Sequence, residues 1–198
     1  TASSRGSSKR GSGPIGPSPR GRVVGVDMTP AQLAVANEYR DYHASLYGYA
    51  QSNVDFVEAN IEQLDAAGLE EASFDLIVSN CVINLAVDKA AVLASAKKLL
   101  RPGGEMYFAD VYVDRRIPDE LKSDPVLYGE CLAGAMYPPD FVRTAQEAGF
   151  LAPQLVEESA IDITDPDVQQ RIGDLQFCSV TYRLFNIDGL ESSEENYG

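Results

Sequence analysis

Three cysteines and one histidine carry most of the nucleophilic chemistry of this 198-residue chain. Cys81 lies just past the apolar run FDLIVSN, Cys131 in the small-residue loop GECLAGA, and Cys178 inside the alternating run FCSVTYRLF. No CxxC pair occurs, so neither a disulfide framework nor a zinc ribbon is indicated. An isolated cysteine is most often a small buried hydrophobe, and the alternation around Cys178 fits that role. Cys81 and Cys131 differ: one follows a strand, the other has glycine and alanine neighbours that allow close approach. Two such thiols suit a soft, thiophilic ion. His43 falls in the last turn of a predicted helix, where its charged form is favoured, which suits a surface or capping position. The sequence shows no Ser/His/Asp set, metal-binding histidine pair or P-loop. A reaction run here must need little proton transfer.

The elements that must position these groups follow from hydrophobic pattern and punctuation. Residues 74–79 are a branched apolar run, predicted as a strand buried on both faces. Residues 88–100 place Ala91, Val92, Ala94, Ser95 and Leu99 at helical spacing, with Lys97, Lys98 and Arg101 loading the last turn. Pro102-Gly103-Gly104 stops that helix, and residues 105–111 read as the next strand. Cys81 thus stands at the carboxyl end of a strand in a strand–helix–strand unit, where open α/β sheets bind ligands. Upstream, the strand at residues 22–26 ends at Asp27, and Thr29-Pro30 caps a helix running to about Leu46. Leu33, Val35, Ala36 and Tyr39 form its predicted apolar stripe. A strand at 53–58 and a short helix at 61–67 follow. Residues 112–139 read as irregular, with a helical turn near 128–135. A helix at 140–148 ends at Gly149. Strands at 154–161 and 177–185 flank a short helix at 166–172 and are predicted to pair antiparallel at one edge. Asp27 fits two roles, a carboxylate accepting hydrogen bonds from a ribose diol or an acid favoured at a helix start.

Composition bounds the rest. A content of 44% hydrophobic residues supports a globular core, and a formal charge of −14 argues against nucleic-acid and anionic-membrane partners. No apolar run approaches the ~18 residues of a membrane span. Cysteine usage points to a reducing, cytoplasmic setting. Arg5, Lys9, Arg10, Arg20 and Arg22 fall within a stretch free of acidic residues. Residues 1–21, rich in Ser, Gly, Pro and Arg, are expected to be disordered, and their composition also suits a transit peptide. A truncated or misjoined amino terminus is the alternative expected there. Gly11-Ser12-Gly13 is read as linker, since prolines follow and no apolar strand precedes it. Residues 188–198 form an acidic tail.

The segments GVDMTPAQLAVA, ANIEQL, FDLIVSNCVINL, LRPGGEMYFADVYVDRRIPDEL and DPVLYGECLAGAMY together resemble arsenite methyltransferases. GVDM and LRPGG are shared widely by class I methyltransferases, whereas SNCVINL, DVYVDRR and DPVLYGECLAGA are distinctive. The resemblance covers about residues 21–187. It implies an α/β fold with a doubly wound, mostly parallel, Rossmann-like class I methyltransferase sheet, lacking the first strand and glycine motif. It implies a domain over 22–187 with an arsenic-binding loop at about 112–139. It also implies S-adenosylmethionine as cofactor, with Asp27 on the ribose, Met28 on the adenosine, Ile61 and Glu62 at the adenine, and Asn80 and Val82 flanking it. Cys81 and Cys131 match the cysteines that bind trivalent arsenic. Arsenite or methylarsenite enters as thiol conjugates, and a thiol reductant such as glutathione or thioredoxin is the implied partner. Without the first strand, the sheet is expected to split in its middle, with weak or absent cofactor binding and a marginal, aggregation-prone sheet. Two further readings stand beside this one. The chain could be an inactive fragment or pseudoenzyme binding trivalent arsenic through Cys81 and Cys131. It could instead methylate another small acceptor such as a quinone, although paired cysteines argue against that.

Overall fold

The computed structural model describes residues 21–190. The expectations for residues 1–20, Gly11–Gly13 included, and for residues 191–198 lie outside the described residues. Where the sequence predicts one domain over 22–187, the described chain divides between Ala59 and Asn60 into two compact units. Strand pairing is the reason: β1 and β2 bond only to each other, and four later strands form a second sheet.

The first unit is a strand–helix–strand. β1 (Val23–Asp27) and β2 (Val54–Glu58) are parallel and in register from Val23↔Val54 to Asp27↔Glu58. α1 (Pro30–Leu46) begins with Thr29 as N-cap and Pro30 in its first turn, as the sequence predicts, although the Thr29 side chain makes no capping bond. The predicted apolar stripe is a correction: Val35 and Tyr39 are exposed, as are Tyr42 and Leu46, and Ala44 is the one buried residue of the helix. A two-stranded sheet has too little surface to cover a helix face of seventeen residues. His43 is exposed and stacks on Tyr47, the surface role expected of it.

The second unit opens with a 3-10 segment, Ile61–Ala67, capped by Asn60 Oδ1 on the Glu62 N–H. β3 (Phe74–Asn80), α2 (Lys89–Leu99) and β4 (Leu100–Val113) follow, with Asp88 Oδ1 capping α2 through Ala91 N–H. The sheet order is β3-β4-β6-β5, using β5 (Gln154–Ala160) and β6 (Phe177–Phe185). β3 and β4 are parallel, while β6 runs antiparallel to both β4 and β5. The antiparallel edge pair is therefore as predicted. β3 is not buried on both faces: Leu76 and Val78 are 48% and 67% exposed. Among the described residues it pairs with β4 alone, as an edge strand, while Phe74 and Ile77 pack against the core. The Pro-Gly-Gly segment is a second correction, since Leu100 both caps α2 and starts β4. The glycines are absorbed as a register irregularity between Phe74↔Leu100 and Leu76↔Glu105. β4 also runs to Val113, further than predicted, and the 112–139 region contains α3 (Asp119–Lys122) and α4 (Pro125–Gly129) instead of one helical turn at 128–135.

α2 buries Val92, Leu93, Ser95, Ala96 and Leu99. With α5 (Pro138–Glu147) it covers one sheet face, where Phe108, Tyr112, Phe141 and Tyr182 meet with ring centroids 4.6–6.2 Å apart. A second buried cluster joins Val113, Ile117, Leu127, Leu132, Phe177 and α6 (Pro166–Ile172). No helix among the described residues is long and apolar enough to cross a membrane.

Arg116 Nε and Nη2 grip both oxygens of Asp140 at 2.6 and 2.8 Å, tying the chain after β4 to the first turn of α5. Arg143 adds a contact at 2.5 Å. Hydrogen bonding to Arg116, then its charge and Arg143, bring the Asp140 carboxyl down from 3.8 to about 2. Its contribution to stability is full above 3.8 and lost as pH falls through about 2. A carboxyl NMR titration is expected to show that midpoint, and Arg116→Gln to move it back toward 3.8.

Candidate functional site

The site is built at the carboxyl end of the β3/β4 pair. Asn80 pairs with Ala109 in the parallel register, and the next residue, Cys81, donates its N–H to Ala109 O at 2.9 Å. Cys81 then turns with φ +51°, in the left-handed region. A 3-10 turn, Ile83–Leu85, follows directly. Its amides converge on Asp110, the next residue along β4. Asp110 Oδ2 accepts from Asn84 N–H at 2.9 Å and Oδ1 from Val111 N–H at 2.9 Å. Asp110 is 3% exposed, and burial pushes its carboxyl above 3.8 despite these donors, the Ile83 N–H and nearby Lys89.

Cys131 arrives from a different part of the chain. α4 ends at Gly129, and Cys131 turns with φ +59°. Three non-glycine residues have positive φ among the described residues, Ala72, Cys81 and Cys131, and each such residue costs ~1–2 kcal/mol. The loop is fastened to β4 by the Val113 N–H bond to Met136 O at 3.1 Å. Cys81 and Cys131 both pack, half-buried, against the same apolar cluster, and both are free thiols. Burial raises each thiol above 9.0, with the Asp110 carboxylate adding next in both cases. Cys131 also raises Cys81, and Glu130 raises Cys131. The structure therefore brings the two predicted cysteines to one place, beside a carboxylate and a turn. Cys178 lies on β6, packed against the aromatic core, in the packing role its alternation predicts.

The predicted cofactor residues divide between the units. In the first, Asp27 ends β1, and its Oδ1 accepts the Thr29 N–H at 2.7 Å. Its Oδ2 accepts no hydrogen bond among the described residues, which leaves an acceptor for a ribose hydroxyl; Met28 beside it is 67% exposed. In the second, Asn80 and Val82 are exposed on either side of Cys81. Ile61 packs against the core, and Glu62 Oε1 is taken by the Val87 N–H at 2.7 Å. Within the second unit, Asn80 and Val82 are thus open to solvent, whereas Ile61 is packed and the Glu62 carboxylate is already engaged. Among the described residues no three His, Cys, Asp or Glu side chains cluster as a metal site.

Sequence reasoning passed over Asp110, Asn84 and Gly134. A carboxylate inside the apolar run MYFADVYV signals the first. The second carries no local signal. Gly134 belongs to the small-residue loop already singled out, where a Cβ would lie 1.7 Å from Asn84 O. Gly134→Ala is expected to lower stability by about 1–3 kcal/mol through overpacking, read by thermal melting. Gly129→Ala is the control, since nothing lies within 4 Å of its Cβ position. The raised thiols also set a pH dependence. Their contribution to stability is full below 9.0 and lost as pH rises past it. Alkylation of Cys81 and Cys131, followed by peptide mass analysis, is expected to keep accelerating above pH 9.0.

Comparison with known proteins gives this geometry relatives. Residues 16–158 match the family model of a methyltransferase domain. The arsenite methyltransferase of Aquipseudomonas alcaligenes is 56% identical over 178 residues, covering 90% of this chain and 51% of the relative. The Homo sapiens arsenite methyltransferase is 46% identical over 84% of this chain and 44% of the relative. A solved arsenic(III) S-adenosylmethionine methyltransferase from Chlamydomonas reinhardtii superposes with TM-score 0.83 at 53% identity, over 89% of this chain and 60% of that one. The chain spans about half the length of the curated relatives it matches. It belongs to the methyltransferase domain family, with arsenite methyltransferases among its relatives.

Proposed function

We propose that this chain carries the arsenic-binding and methyl-accepting part of an S-adenosylmethionine-dependent arsenite methyltransferase, acting on arsenite or methylarsenite held by Cys81 and Cys131 in arsenic detoxification. The observation that carries this reading is the convergence of two half-buried thiols, both on left-handed backbone, at the carboxyl end of β3. Sequence kinship with arsenite methyltransferases supports the substrate.

On the first unit, Asp27 and Met28 are the residues suited to a nucleoside; on the second, Asn80 and Val82 flank Cys81. The cofactor supplies, when bound, a methyl group on a sulfonium sulfur. Trivalent arsenic bound by two thiolates keeps a lone pair, so the acceptor is already a nucleophile and no general base is required. The work left to the protein is orientation. Each thiol is protonated at neutral pH, and as it bonds arsenic its proton leaves with the thiol it displaces from the arsenical conjugate; the cluster the two cysteines pack against is apolar. Thiol chemistry at the substrate calls for a reductant of the glutathione or thioredoxin class.

Binding of phenylarsine oxide and methyl transfer to methylarsenite, measured on the chain and its variants, test the reading. Cys81→Ser and Cys131→Ser are each expected to weaken arsenical binding about 10²–10⁴-fold, the loss of a chelate's second arm, and to abolish transfer. Cys178→Ser is expected to retain both. Equal binding by wild type and both serine variants would overturn the proposal, and dithiol-dependent binding without transfer would assign the chain to arsenic binding alone.

A further inference from the structure

Asn84 is 4% exposed and makes contacts with both halves of the cysteine site. Its N–H donates to Asp110, the carboxylate beneath the turn that follows Cys81. Its Nδ2 donates to the backbone carbonyl of Cys131 at 2.6 Å, across 47 residues of chain. Its own carbonyl is the atom against which Gly134 is pressed. The neighbouring Leu85 carbonyl accepts from Tyr128 Oη at 3.3 Å, a second tie between the same two loops.

The remaining amide atom, Asn84 Oδ1, is buried with no hydrogen-bond partner among the described residues. A buried acceptor without a donor lowers stability, and an apolar side chain would avoid that penalty. Asparagine at this position is therefore poorly explained by folding alone. What it does provide is a rigid, short link from the Cys81 turn to the backbone of a cysteine that is itself in the left-handed region.

We propose that Asn84 is a positioning residue for the thiol pair: its side-chain amide clamps the Cys131 backbone against the Cys81 turn and so holds the two sulfurs at chelating separation. The proposal rests on the reading of Cys81 and Cys131 as one arsenic-binding pair. The hydrogen bonds of Asn84 reach the Asp110 carboxylate and the Cys131 backbone carbonyl. Its effect is confined to the second arm of the chelate.

That confinement makes the test a double-mutant cycle with phenylarsine oxide as the probe, read by affinity and by thiols consumed per arsenic. In the chain with both cysteines, Asn84→Ala is expected to weaken binding about tenfold as the effective concentration of the second thiol falls. In a Cys131→Ser background the same substitution is expected to change nothing, because no second sulfur remains to be placed. A purely structural role for Asn84 predicts similar losses in both backgrounds, and that result would overturn the proposal, as would full affinity in Asn84→Ala. Asn84→Asp, which keeps the shape and replaces the donor by an acceptor, runs through the same cycle should the alanine variant fail to give a cooperative melt. Equal affinity of wild type and Cys131→Ser would instead defeat the underlying pair, and the clamp with it.

Discussion

A carboxylate taken out of water must find donors, and the arrangement around Asp110 follows from that need. Its oxygens reach the N–H groups of Asn84 and Val111, with Ile83 also directed at it. These are the backbone amides of the turn after Cys81 and of β4 itself. Desolvation still outweighs them, because the carboxyl titrates above its ordinary value instead of below it. The group therefore costs stability on balance. What it secures is position. The parallel register of β3 on β4 sets Asn80 opposite Ala109 and brings the Cys81 N–H to the Ala109 carbonyl, and the carboxylate next in line gathers the chain that leaves Cys81 into a single turn.

The same economy governs the two cysteines. Each occupies a backbone conformation that L-residues avoid, and the surroundings hold it there. For Cys81 the restraint is the last bond of the β3/β4 ladder. For Cys131 it is the amide of Asn84 and the close approach of Gly134. Partial burial, with the Asp110 carboxylate next, raises both thiols further above their ordinary value, so a thiophilic atom must displace their protons to bind. Rigid placement on a sheet end suits a reaction whose nucleophile is a lone pair, because orientation is then the main quantity left for the protein to supply.

Packing is unevenly shared between the two units. The aromatic cluster of Phe108, Tyr112, Phe141 and Tyr182 and the fully buried Leu93, Phe150 and Leu184 all belong to the second. The first has a parallel strand pair and a helix whose Val35, Tyr39, Tyr42 and Leu46 face outward. β3 likewise presents Leu76 and Val78 on a strand with one partner. Apolar residues exposed in groups mark surfaces that other protein or ligand covers, and an unpaired strand side is a template for further pairing.

Local physics was sufficient for much of this. The Thr29-Pro30 pair placed the start of α1 where it is observed, α6 lies at its predicted residues, and alternation placed β6. The strand end before Cys81, the small-residue loop around Cys131 and the alternation around Cys178 set Cys81 and Cys131 apart from Cys178 in the sequence. Burial was not legible in the same way. The run FDLIVSN reads as a doubly buried strand by composition, yet its exposure depends on which strands pair beside it, and pairing is a long-range matter. The stripe on α1 misleads for the same reason. Asp110, Asn84 and Gly134 are ordinary residues in the sequence. They become a site only when β4 passes beside β3 and the chain returns 47 residues later to set Cys131 against Asn84. Residue types determined which chemistry was available here, because thiols and carboxylates carry it intrinsically. Tertiary structure decided where it is assembled, because hydrogen bonds and close contacts between distant segments act through space and leave no periodicity in the chain.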